Sequence, residues 1–407
     1  MVRFEIKKII SKPVSKIVFI ILVAALCIVS YLAVSNVRYV DENGDTIKGI
    51  SAARSLREAK RQWSGYITEE KLLRVFEQNA QINNSEEYLS NDVKENEKAY
   101  SKKQGFSDIR DMINRAFCGF RQYDYYRIDS LSEGEISTFY DRRISGLTEW
   151  LNSEEAVNHY SDQEKSFLMN QYRDLETPVY YEYFDGWEAV LQNAPMIIML
   201  VVLITGFLVS GIFSDEIQLK ADSVFFSAKL GRTKAIAAKI CSGFIIITAI
   251  YWITILLYSG SVLTALGFDG ANCAIQIGSS NWKSFYNITY LQDYLLTVFG
   301  GYVGSLFILM LSMLVSAKTR SAIFAVTIPF ILLFIPGFLS GISALSKILG
   351  LLPDQLLQMC VAVRLFNTYQ IRNTVIGAVP IILTIYLLLS CILFPVLYQV
   401  YRIYELK

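Results

Sequence analysis

The residues whose types and spacing suggest chemistry lie together in Phe213–Lys239. Asp215 and Glu216 open the stretch, Lys220 and Asp222 follow, and Ser227, Lys229, Gly231, Arg232, Lys234 and Lys239 close it. Acids first and bases last suit the two poles of a helix, where the backbone dipole favours carboxylates early and cations late. Ile217, Ala221, Val224, Phe225 and Ala228 recur at mostly three- to four-residue spacing, which predicts one amphipathic helix lying along a membrane surface. Leu230-Gly231 ends it, because glycine supplies the left-handed turn that closes many helices. Arg232 and Lys234 beyond the turn can pair with lipid phosphate or with an acidic partner. The chemistry predicted here is charge pairing and docking, not bond making.

The remaining chain is poor in reactive groups. Its single histidine, His159, cannot build a histidine-based triad or a multi-histidine zinc site. No G-x-x-x-x-G-K-[ST] run is present to cradle nucleotide phosphates. Carboxylates are nearly absent from the long apolar runs, where ion-coupled transporters usually need them. The expectation is therefore a chain that is not an enzyme, with no catalytic residue, metal site or cofactor and no nucleic-acid partner. Any energy for movement would come from another polypeptide. The six cysteines show no disulfide framework, and nothing in the spacing favours a Cys118–Cys273 bridge. The sequons at Asn83 and Asn287 carry little weight.

The elements that must position the charged stretch follow from composition. Apolar residues make up 53% of the 407 and charged residues 18%, below the roughly 25% of soluble proteins. Uncharged runs occupy Ile17–Val34, Ala194–Phe213, Ile240–Phe268, Tyr294–Ala317, Ser321–Ser346 and Thr374–Tyr401. About 20 such residues cover a hydrocarbon core, and lipid demands that each segment satisfy its own backbone. Transmembrane helices are thus expected at 17–36, 193–214, 235–262, 294–317, 321–346 and 374–401. Ile17–Val34 is too long for a signal-peptide core and lacks a small-x-small cleavage site, so it is read as a retained helix.

Charge fixes the expected orientation. Residues 37–192 hold 29 acids against 20 bases, and the remainder 18 bases against 8 acids. Segments 1–16, 215–234, 318–320 and 402–407 are the basic ones, and alternation through six spans places all four on one side, the cytoplasm. Residues 37–192, 263–293 and 347–373 are then external. Within 1–16, Val2, Ile6, Ile9 and Ile10 predict a short amphipathic helix on the inner leaflet, turned inward at Pro13.

The external block reads as mostly helical, with a start at Thr68-Glu69-Glu70-Lys71 and its flexible stretch near 80–105. Its aromatics, among them Tyr140, Trp150, Tyr160 and Tyr181, suit a small helical core or a peptide-binding surface. Leu351–Val363 is too short to span and suggests an interfacial or re-entrant helix. The fold class expected is an all-α integral membrane protein with six transmembrane helices, cytoplasmic termini and a large helical external domain between the first two.

Phe213, Ser214, Glu216, Ser227, Lys229, Gly231, Arg232 and Lys239 resemble the cytoplasmic stretch of ABC-2 type transporter permeases. Leu219-Lys220-Ala221 departs from the small-residue pair many relatives carry there. Met1–Lys16 resembles that family's basic N-terminal helix. Phe139-Tyr140-Asp141-Arg142-Arg143 and Tyr181-Glu182-Tyr183-Phe184-Asp185-Gly186-Trp187 are similar to landmarks of its large-external-loop members from Gram-positive bacteria. The resemblance implies export across a bacterial plasma membrane, powered by a separate ABC ATPase subunit. It also implies a homodimer or heterodimer with a second permease, contact with membrane lipids, and an amphiphilic cargo such as an antimicrobial peptide or lipid. Asp215, Glu216, Lys220, Asp222, Ser227, Lys229, Gly231, Arg232 and Lys234 would couple to the ATPase, Glu216 by a helix-terminus contact and Arg232 by a salt bridge to the partner. A different class also fits: a non-transporting sensor or scaffold with an external ligand-binding domain.

Overall fold

Pro13 sets the first corner of the chain. In the computed structural model, which describes residues 1–227, 231–278, 280–342 and 345–403, α1 (Val2–Ile10) is followed by α2 (Pro13–Ser35). The proline stands at the start of α2, where its missing N–H would have had no helical partner anyway.

A polar block follows. It comprises β1 (Arg38–Val40), β2 (Thr46–Lys48), α3 (Ile50–Arg61), β3 (Gly65–Tyr66), α4 (Glu69–Asn83), α5 (Glu86–Leu89) and α6 (Val93–Ser101). It continues with α7 (Ser107–Phe117), α8 (Glu133–Ile136), α9 (Phe139–Leu151), α10 (Asp162–Arg173) and β4 (Tyr180–Tyr181). Then come α11 (Asp185–Ser210), α12 (Asp215–Gln218), α13 (Asp222–Ser227), α14 (Ile236–Leu266), α15 (Tyr290–Thr319) and α16 (Ala322–Leu339). The last elements are α17 (Ser346–Leu349), α18 (Asp354–Leu357), α19 (Met359–Ala362), β5 (Thr368–Ile371), β6 (Thr374–Gly377) and α20 (Ala378–Arg402).

Among the described residues, six helices are long and apolar enough to cross a membrane: α2, α11, α14 with the turn before it, α15, α16 and α20. Burial sorts them. In α11 and α15, 61% of the most apolar window is buried, against 17% in α2 and 22% in α16 and α20. α11 and α15 therefore form the centre, and the outer helices turn apolar faces outward.

Small residues allow the close approaches, as expected where lipid offers no hydrophobic drive between helices. A Cβ on Gly301 would stand 2.6 Å from the Tyr251 hydroxyl, and one on Gly304 2.9 Å from Leu356. Hydroxyls add cross-links: Ser316 Oγ donates to Ser210 O at 2.5 Å, Ser312 Oγ to Ala325 O at 2.6 Å and Tyr251 Oη to Val298 O at 2.6 Å.

The polar block folds on local signals and one buried charge cluster. Thr68 caps α4 through Lys71 N, and Ser161 with Glu164 forms a capping box on α10. Lys60 Nζ, 4% exposed as a residue, sits 2.8 Å from Asp108 and 2.6 Å from Asp185, tying the block to the first turn of α11. Burial alone would lower the Lys60 pKa, but the two carboxylates overcome it and hold the ammonium well above the usual lysine range. Arg143 stacks on Tyr172 with 3.8 Å from guanidinium carbon to ring centroid. It also donates to the carbonyls of Tyr172 and Ser284 at 3.2 and 2.9 Å, fastening α9 to the loop before α15.

Several expectations change. The single amphipathic helix expected to reach Leu230-Gly231 is, over its described residues, two short helices broken at Lys220, whose φ is 55°. The segment 347–373 is not one interfacial helix: α17, α18 and α19 are single turns, and β5 pairs with β6 in register Thr368 to Gly377. Gly300 and Gly304 bring α18 and α19 against α15, and that contact replaces continuous helix. α11 and α15 begin at Asp185 and Tyr290, ahead of the expected 193 and 294, so Asp185, Glu188 and Asp293 belong to these helices. The stretch 80–105 carries α5 and α6, capped by Ser85 and Asp92. All six cysteines are free.

Candidate functional site

Lys239 determines the centre of the site. Its ammonium lies near the start of α14 with no side-chain exposure, and a buried cation must be paired. Glu216 Oε1 meets Lys239 Nζ at 2.6 Å, Ile212 O accepts from it at 2.9 Å, and Glu5 Oε2 stands at 3.3 Å. Lys8 reaches the same Glu216 oxygen at 2.7 Å, and Lys12 bonds Asp215 Oδ2 at 2.6 Å. Three lysines and three carboxylates from α1, the residue before α2, α12 and α14 thus form one cluster. Burial alone would raise Glu216's pKa, but Lys239 and Lys8 outweigh it and hold the carboxyl below its ordinary value. Lys8 is held above its ordinary value, its partial burial being overcome by Glu216.

Hydrophobic contacts extend the clamp to the last helix. Phe213 packs edge-on to Tyr401 with centroids 4.6 Å apart, and the Tyr401 hydroxyl donates to Phe213 O at 3.1 Å. Phe225 of α13 lies 6.2 Å from Tyr401 and 5.4 Å from the Lys239 ammonium. Arg232 Nη1 approaches Arg402 O at 3.5 Å. Shifting α12 or α13 would therefore press on α1, α14 and α20 together.

The structure separates the predicted residues into two groups. Asp215 and Glu216 stand in the first turn of α12 and are turned inward, where Glu216 also makes ion pairs to Lys8 and Lys239. Gly231 is buried at the turn into α14. Lys220, Ser227, Arg232 and Lys234 are exposed, as are Leu219 and Val224, at 74% and 72%. Asp222 begins α13, and Lys229 lies outside the described residues. Sequence reasoning missed Glu5, Lys8 and Lys12 as partners of this element. The only local signal was the concentration of lysines before the first apolar run, which names no partner. Beside the Lys12–Asp215 pair, a cavity of about 600 Å³ opens between α2, α11 and α16, lined by Ser15, Phe207, Gly211, Val326 and Phe330.

Fold and site together define a helical, multi-pass membrane protein with an ion-paired junction between its second and third candidate spans. Compared with protein-family models, curated proteins and solved structures, the chain matches none.

Proposed function

We propose that this chain is the permease subunit of an ABC exporter in a bacterial plasma membrane, with both termini cytoplasmic and the polar block outside. Two copies, or this chain with a related one, form the pathway for an amphiphilic cargo such as an antimicrobial peptide or lipid. A separate ATPase subunit docks on α12 and α13 and supplies the energy. The observation that carries this reading is the build of the junction. Two short helices present Leu219, Lys220 and Val224 outward while Asp215 and Glu216 lock their inner side to α1, α14 and Lys12 before α2. A loop that merely connected spans would need no such clamp.

The test is affinity purification of the full chain from its native membrane in mild detergent. A P-loop ATPase should co-purify with wild type and be lost with Leu219→Asp/Val224→Asp, both at exposed sites that leave the fold intact. Failure to recover any ATPase would remove the engine from this reading. The sensor or scaffold alternative draws on a cleft of about 340 Å³ between the polar block and the α17–β5 segment, lined by Arg121, Trp150, His159, Tyr160, Lys347 and Phe366. An ATPase that binds while reconstituted vesicles show no vectorial movement would favour it.

A further inference from the structure

At the polar-block end of α14, two cavities share the same pair of arginines. One, of about 750 Å³, runs along α14 past Leu256, Leu257, Gly260 and Thr264 and reaches Arg54 and Arg57 on α3. The other, of about 410 Å³, continues from Arg54 and Arg57 to Arg61, Tyr183 and Ser64. Arg54, Arg57 and Arg61 stand three and four residues apart, so one face of α3 carries all three guanidinium groups.

Their bonding is uneven. Arg57 is held by Asp269, with Nη2 2.7 Å from Oδ1. The turn that delivers Asp269 depends on Gly267, whose φ of 118° disfavours any side chain. Arg54 and Arg61 are exposed and make no ion pair among the described residues. Glu58 and Glu182 also line the polar cavity, and Glu182 accepts from Gly270 N at 3.3 Å. Tyr183, 2% exposed, carries a buried hydroxyl with no hydrogen-bond partner at this same cavity. A buried hydroxyl left unpaired is costly, and an acceptor arriving in the cavity would relieve it.

The two halves differ in chemistry. The long cavity has an apolar wall, with Leu256 and Leu257 59% and 58% exposed on a helix that belongs among the spans. The short one offers two unpaired guanidinium groups and a hydroxyl donor. Arginine's planar fork matches phosphate geometry, and side chains at the rim of a span meet lipid headgroups. We propose that this junction binds one membrane phospholipid, its phosphodiester on Arg54, Arg61 and Tyr183 and an acyl chain along α14. The site depends on α14 lying in a membrane and not on the transport reading, so either can fail alone.

The test is native mass spectrometry of the purified full chain titrated with dioleoylphosphatidylglycerol. One lipid should bind per chain, while dioleoylglycerol, which lacks the phosphate, and glycerophosphoglycerol, which lacks the chains, should bind at least about tenfold more weakly. Arg54→Ala/Arg61→Ala should weaken the lipid about tenfold or more, as expected when charge-assisted hydrogen bonds are lost. Gly260→Leu should do the same from the apolar side. A Cβ at Gly260 meets no atom within 4 Å, so the larger side chain fills the groove without disturbing the fold. Dioleoylglycerol binding as tightly as the phospholipid would reduce the site to an apolar groove. Glycerophosphoglycerol binding as tightly would make it a free-phosphate site, and wild-type lipid binding by the arginine variant would overturn it.

Discussion

Lys239 and Glu216 are bound to each other by electrostatic necessity, and the cost of parting them is predictable. Glu216→Gln leaves an ammonium with no side-chain exposure only the longer contact to Glu5 at 3.3 Å, so stability should fall by up to about 3 kcal/mol. Replacing both partners by apolar residues, Glu216→Leu with Lys239→Met, should cost much less than the two single changes added together. A double-mutant cycle by chemical denaturation in detergent checks this, and additive costs would refute the pairing. The pH dependence has a definite sign. Glu216's pKa is lower folded than unfolded, so its contribution is full above the ordinary carboxylate range and fades as pH falls toward the folded value. That acid-dependent loss should be missing from Glu216→Gln. The sequence shows Glu216 and Lys239 as an acid and a base near the two ends of the charged stretch, both at positions of the family-like pattern. It does not show that Lys8 and Lys12, more than 200 residues away, would supply the counter-charges, because ion pairing across α1 and α12 leaves no local periodicity.

At the scale of elements, the break at Lys220 is the informative departure. The apolar spacing of Ile217, Ala221, Val224 and Phe225 reads as one helix, yet a left-handed residue at 220 divides it into α12 and α13. Periodicity is blind to such a break, because it counts spacing and not the backbone conformation of a single residue; in the structure Val224 is exposed while Phe225 packs against Tyr401. A lysine at φ 55° carries a steric cost that glycine lacks. Lys220→Gly should therefore stabilise the chain by about 0.5–1 kcal/mol, and Lys220→Val should destabilise it, both read by thermal melting. Stabilisation by Val would mean that the break is not held in place. The apolar runs were legible because length and hydropathy decide a span. The segment 347–373 was not, because α18 and α19 form against Gly300 and Gly304 of another helix, a contact no local pattern announces.

Across the whole molecule the charges sort to two ends. The clamp gathers α1, α12 and the end of α20 at one end, and Lys60, Arg57 and Arg143 fasten the polar block at the other. The proposed orientation, with basic segments inside, predicts that a cysteine-free chain carrying Leu219→Cys reacts with an impermeant maleimide only after permeabilisation, and one carrying Tyr126→Cys in intact cells. The reverse pattern would invert the orientation. The role proposed for the clamp is to transmit an ATPase's closure to the spans. Its most direct test is ATP-driven movement of a labelled amphiphile in vesicles holding the chain and its ATPase, comparing wild type with Glu216→Leu/Lys239→Met. ATPase binding and hydrolysis should stay near wild-type levels while movement falls about tenfold or more. Movement at the wild-type rate without the Glu216–Lys239 pair would contradict it.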